Sequence, residues 1–143
     1  MRKRHHRNLV TIALVGLLAV LLVACESSYT TVGISTRSHQ DMRGGDLTVK
    51  IKKANGSSTQ DIEIGDSGLI LDTDVTLTVG EGVFRLELLD GEGDVTLTLE
   101  ARDGQTVSGS GRMVTDSFGD ARYRVTAADA RNVEYRFDYT FRQ

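Results

Sequence analysis

From Asp46 to the end of the chain, apolar and polar residues alternate with a period of two, the spacing of strands with one face buried and the other wet. Leu47, Val49 and Ile51 alternate with Thr48, Lys50 and Lys52, and Ile62 and Ile64 flank Glu63. A short apolar run, Leu69 to Leu71, precedes Val75, Leu77 and Val79, which stand between threonines. Phe84, Leu86 and Leu88 then alternate with Arg85 and Glu87, and Val95, Leu97, Leu99 and Ala101 continue the pattern. Tyr123, Val125 and Ala127 alternate with Arg122, Arg124 and Thr126. The last run is the strongest, with Val133, Tyr135, Phe137, Tyr139 and Phe141 at every second position and Glu134, Arg136, Asp138, Thr140 and Arg142 between them. One aromatic face and one charged face predict a central strand that fills the core late in the chain.

Residues that favour turns separate these runs. Asn55-Gly56-Ser57-Ser58, Gly65-Asp66-Ser67-Gly68, Gly80-Glu81-Gly82, Asp90-Gly91-Glu92-Gly93 and Asp116 to Asp120 all read as breaks. Asp103-Gly104 is a two-residue hairpin signal, and Ala127 to Ala130 allows one helical turn at most. The expected fold is all-β: an antiparallel β-sandwich, jelly-roll-like, or a small barrel, of about eight strands, over residues 46–143. A membrane barrel needs strands of about 9–11 residues and aromatic girdles at both interfaces. The runs here are shorter and the aromatics gather in the last one, which favours a soluble sandwich.

The start of the chain has a different character. Leu9 to Ala24 carries no charge, and Arg2, Lys3, Arg4 and Arg7 stand just before it, the build of a secretory signal. As a helix at ~1.5 Å per residue the apolar run spans roughly 24 Å, short of a hydrocarbon core of about 30 Å, which favours cleavage over a permanent span. Its end, Leu22-Val23-Ala24-Cys25, resembles the lipobox of bacterial lipoproteins. The resemblance implies recognition of Leu22, Val23 and Ala24 by the lipoprotein signal peptidase, cleavage after Ala24, and a covalent lipid on Cys25. Glu26 follows the cysteine where the inner-membrane retention signal of enteric bacteria has Asp. The implied address is the extracytoplasmic side of the cell membrane or the outer membrane.

Three segments result: a signal-peptide helix at 1–24, the lipidated cysteine with a flexible tether at 25–45, and the β domain at 46–143. The tether is expected because Glu26 to Gly45 is rich in Ser, Thr, Gly and charge. Fully extended it reaches at most about 70 Å. Within it, Tyr29 to Ser35 has enough β character to add an edge strand.

Charge and residue inventory narrow the chemistry. The precursor carries −3; the leader holds four of its 17 basic residues and none of its 20 acidic ones, so the processed chain carries 13 − 20 = −7. That balance argues against nucleic acid and against electrostatic docking on anionic lipid, leaving the acyl chains as the membrane attachment. Cys25 is the single cysteine, so no intramolecular disulfide is available. The chain has no tryptophan, the strongest platform for stacking sugars.

His39 is the single histidine after the leader, which argues against a Ser-His-Asp triad and against zinc. The obvious carboxylates fall in turns or on polar strand faces, where a glycosidase pair is not expected. Asp90, Glu92 and Asp94, with Asp72 and Asp74 in a comparable stretch, are the candidate calcium ligands. They lack the longer EF-hand ligand series, and Asp and Gly are also ordinary turn residues. Ser108, Gly109, Ser110 and Gly111 followed by Arg112, with Arg102 nearby in sequence, are the candidate ligand or partner surface, since a strip without bulky side chains admits a close approach. The same glycines suit a bulged edge strand. The expected function is a non-catalytic binding or interaction module of the cell envelope, with a glycan or an envelope protein as partner and no cofactor beyond the lipid. A structural or assembly subunit is the alternative, and a carboxylate-based hydrolase stands last.

Overall fold

Three long strands carry the architecture: β2 (Gly44–Glu63), β3 (Ile70–Leu89) and β6 (Asp120–Phe141). Around them lie β1 (Thr30–Gln40), β4 (Val95–Arg102) and β5 (Thr106–Val114). This computed structural model describes residues 28–142; the signal peptide, the lipobox and Cys25 lie outside the described residues. Every pairing is antiparallel, in the order β1-β2-β6-β3-β4, with β5 also paired to β3.

Each long strand bends near its middle. The β2–β6 register shifts between Ala54 and Gly56, and the β3–β6 register shifts between Glu81 and Val83. Gly56 and Gly82 have φ of 93° and 78°, and on β6 Asp129 and Asn132 have φ of 47° and 51°. Ala54 faces Ala130 and Glu81 faces Arg131, so the bends lie side by side and the sheet folds over along one line. The result is two layers. One holds β1, residues 44–54, 131–141 and 70–79, and β5; the other holds residues 56–63, 120–128 and 83–89, and β4.

The alternating apolar residues fill the space between the layers. Leu47, Val49, Ile51, Leu71, Val75, Leu77, Phe84, Leu86, Leu88, Val133, Tyr135 and Phe137 are all buried. Tyr123 of one layer meets Phe137 of the other edge-on at 4.9 Å, and Phe84 stacks on Tyr135 at 5.8 Å between centroids. The buried Tyr123 and Tyr135 hydroxyls satisfy each other at 3.1 Å. An antiparallel β-sandwich is therefore the fold.

Four expectations need correction. The tether does not hold over Thr30–Gln40, because β1 pairs with β2 from Thr30↔Asn55 to Gln40↔Gly45. An edge strand exposed on both faces is held by its backbone ladder and needs no apolar alternation, so its Ser/Thr composition resembles a linker. Asn55–Ser58 and Gly80–Gly82 are bends inside β2 and β3, not reversals. Ala127–Ala130 lies within β6 and contains no helical turn. Six strands replace the expected eight because the three long ones cross both layers.

Burial raises the pKa of the phenols: Tyr29 is pushed up to about 12, and desolvation lifts Tyr123 and Tyr135 as well. A folded pKa above the unfolded one means that the native state keeps its proton longer. Stability is therefore complete below about pH 10 and falls as pH climbs through the raised folded values. Absorbance at the phenolate band should stay low above pH 10 and then rise together with unfolding; ionisation of all four tyrosines near pH 10 in a folded protein would contradict this.

Candidate functional site

The polar residues of β6 that the alternation turns away from the core stand on the outer face of the larger layer. Across the strands, Asp46, Asp138, Asp74 and Ser110 form one row by register, and Thr140, Asp72 and Arg112 form the next. Over these rows the strands leave an open groove of about 820 Å³ lined by Asp72, Asp74, Ser110, Arg112, Asp138 and Thr140. The groove lies at the end of the sandwich away from the bends.

Most of its charged groups are already held in place. Arg142 grips Asp72 through two nitrogens at 2.6 and 3.0 Å. Arg136 donates to both oxygens of Asp138 from its own strand, at 2.7 and 2.9 Å, and Asp138 in turn raises the guanidinium's pKa. Ser110 donates its hydroxyl to Asp74 at 2.5 Å. Asp46, Asp138 and Asp74 are like charges directly opposite one another, an arrangement that costs stability. Arg112 differs: its backbone carbonyl accepts from the Thr96 hydroxyl, while its guanidinium makes no ion pair among the described residues. The groove thus offers fixed acceptors, hydroxyls and one uncommitted planar donor, a set suited to a hydroxyl-rich ligand. Asp74 and Asp138 are exposed.

Two candidate clusters of the sequence meet here in part. Asp72, Asp74 and Asp90 line the same groove as Ser110, Gly111 and Arg112. Glu92 and Asp94 do not join them. Asp90 accepts from the backbone N–H groups of Glu92 and Asp94 at 3.0 and 2.9 Å, so it ties its own turn together. Among the described residues no group of three or more His, Cys, Asp or Glu side chains is arranged to hold a metal ion.

Arg102 and Arg112 are not brought together. Arg102 faces Val83 and Arg112 faces Asp72, well apart along β3. Arg102 instead binds Glu100 at 2.9 Å, and with Arg85 it holds that carboxyl below its usual range. Gly109 and Gly111 do not open the strip to a ligand from their own side. A Cβ on Gly111 would stand 2.7 Å from Leu97 Cβ, and one on Gly109 would stand 3.1 Å from both Leu97 and Leu99. These glycines make room for β4, while Ser108, Ser110 and Arg112 face outward. Sequence reading missed Asp46, Asp138 and Thr140 as site residues. Their signal was present in the charged face of the last strand, but the neighbours that complete the rows depend on strand order.

No family model matches the chain, and no curated protein matches it. Among solved structures the chain is similar to the CBM22-1 xylan-binding domain from Paenibacillus barcinonensis Xyn10C, at 14% identity over 80% of this chain and 85% of that chain, with a TM-score of 0.38. It is similar to the carbohydrate binding module CBM6cm-2 from Cellvibrio mixtus lichenase 5A, solved in complex with cellotriose, at 16% identity over 82% and 93%, with a TM-score of 0.36. A Bacillus endospore appendage protein from disulfide-linked pili aligns at 12% identity over 84% and 96%, with a TM-score of 0.46. These are distant likenesses of β architecture and assign no ligand to this chain.

Proposed function

We propose that this chain is an extracytoplasmic, lipid-anchored, non-catalytic binding module that presents its outer-face groove to a glycan of the cell envelope. The observation that carries the binding half is the Arg112 guanidinium, left without an ion pair beside Ser110, Thr140 and the anchored carboxylates. The anchor half rests on the LVAC site and its basic, apolar leader. With acylation at Cys25, four residues, Glu26 to Tyr29, join the lipid to β1. At ~3.5 Å per residue that leash reaches roughly 14 Å, far less than the tether expected from composition. β1 then runs for about 33 Å from the end where the chain enters the domain toward the end where the groove lies.

Retention of the processed protein on immobilised envelope polysaccharides tests the binding half. Removing a charge-assisted hydrogen bond of about 1.5–3 kcal/mol should weaken retention tenfold or more in Arg112→Ala, with the far-UV spectrum unchanged. Unchanged retention in Arg112→Ala and in Ser110→Ala would sink the assignment of the groove. For the anchor, Cys25→Ser should abolish fatty-acid labelling and leave the protein released or unprocessed. A Cys25→Ser protein that labels and fractionates like wild type would reject it.

A further inference from the structure

The two layers do not end level on the side of β1. In the larger layer β1 lies beyond residues 44–54 of β2, whereas in the smaller layer residues 56–63 of β2 are the last strand. On the other side the layers match, because β5 stacks on β4 and its glycines make room for Leu97 and Leu99. β1 therefore overhangs the smaller layer by one strand. Ile34, Thr36 and Ser38 stand opposite the buried Ile51, Val49 and Leu47 and share their inward face. All three are nevertheless exposed, Ile34 by 57%. Two strand edges without a partner among the described residues thus run along this side, β1 in one layer and residues 56–63 in the other. They share a direction and span the same height. Gly56 sits against Ser28, where a Cβ would stand 2.2 Å from the carbonyl oxygen, and the Gln40 amide donates to the Ile64 carbonyl at 3.0 Å. The edges differ in charge. β1 carries Arg37 and His39 and no carboxylate, and residues 56–63 carry Asp61 and Glu63 and no cation. Arg37, Asp61 and Glu63 are exposed and make no ion pair among the described residues, although Asp61 faces Arg122. Opposite Glu63, Asp120 has its pKa raised by desolvation and then by Asp116, Asp61 and Glu63, so negative charge is in local excess here.

We propose that two copies of the chain join by these edges about a two-fold axis parallel to the strands, with β1 of each lying beside residues 56–63 of the other. Such an axis exchanges the layers and keeps the strand direction, so the larger layer of one copy continues into the smaller layer of the second. The overhang of each copy fills the step in the other, and the two β1 strands stack with Ile34 over its own counterpart. Heights are preserved, which brings Arg37 level with Asp61 and Glu63 of the second copy. Arg37 stands opposite Thr48 on the outer face, and Asp61 and Glu63 point outward on either side of the buried Ile62. Exchange of the layers turns these groups to one side, so each cation meets carboxylates. The contact is isologous, with every pairing made twice, and it covers both open edges. A two-fold axis across the strands would instead set β1 against β1, leave both overhangs uncovered and bring no carboxylate to Arg37. The outer-face groove stays open in the pair, since its lining includes no residue of β1 or of 56–63. Both chains also enter at one end, as two chains acylated at Cys25 on one membrane require, although the contact itself needs no lipid.

Sedimentation of the protein as the cell makes it, in mild detergent with micelles in large excess over chains, tests the pair. Wild type should pass from monomer to dimer as its concentration rises. Arg37→Glu should raise the dissociation constant about tenfold or more at low salt, with the far-UV spectrum unchanged. Asp61→Lys combined with Glu63→Lys should do the same. An equimolar mixture of these two impaired proteins should return to within about threefold of the wild-type constant, because both contacts of the mixed pair then join opposite charges. Wild type that stays monomeric at every concentration overturns the proposal. Association weakened by Arg37→Glu but untouched by the Asp61 and Glu63 changes also overturns it, and assigns the contact to β1 against β1. Association that ignores every charge change, or a mixture no tighter than its parts, rejects the pairing of these edges.

Discussion

Replacing Phe137 by alanine should lower the unfolding free energy by about 3–5 kcal/mol, a large share of the roughly 5–15 kcal/mol that holds one domain together. The ring is fully enclosed, lies 4.9 Å from Tyr123 of the opposite layer and 5.6 Å from Tyr135, and faces Leu47 and Val75 across its two neighbouring strands. Its removal leaves a cavity that the two layers share, and neither layer can collapse alone because three continuous strands join them. Arg136→Ala on the other face of β6 breaks only exposed contacts to Asp138 and should stay within about 0.5 kcal/mol. Denaturant titration of both variants checks the pair. A Phe137→Ala loss no larger than that of Arg136→Ala would mean that β6 does not lie at the centre of the core.

The inner surface of the sandwich was legible because burial writes a period of two. The run from Val133 to Tyr139 is buried at every second residue, as its alternation predicts. The edges and bends were less legible. Thr30–Gln40 buries almost nothing, so no apolar period marks it; the β character of Tyr29 to Ser35 signals an edge strand, while Thr36 to Gln40 has the composition of a linker. Tyr29 was visible as an aromatic in a polar stretch, yet its packing against the core depends on β1 being a strand. At the bends, Gly56 and Gly82 read as turns because positive φ is needed in either case. A glycine reports the backbone angle, and whether the chain reverses or only bends depends on partners far away in sequence. For the same reason Ser110 and Arg112 were found as candidates while Asp138 and Thr140 were not: a site built from one face of neighbouring strands is written in the register between them.

The bend line also gives the second large expected effect, in Gly82→Ala. At φ 78° an L side chain is disfavoured, and the new Cβ would stand 2.3 Å from the Asp129 carbonyl oxygen and 2.7 Å from that of Ala128. Both obstacles are backbone atoms of β6, so no side chain can swing aside; the strands must part or the bend must open. The left-handed penalty is roughly 1–2 kcal/mol and forced overpacking adds about 1–3, for an expected loss of roughly 2–5 kcal/mol. Gly93 supplies the control. Its φ is 91°, but a Cβ there meets nothing within 4 Å, so Gly93→Ala carries the backbone cost without the collision. Denaturant midpoints of the two variants separate the effects. Gly82→Ala should lose clearly more than Gly93→Ala and should also change the near-UV signal of the tyrosines packed between the layers, because an opened bend loosens Phe84 from Tyr135. Equal losses in the two variants would show that β3 and β6 do not meet closely at the bend, and with it would fall the folding of one sheet into two layers.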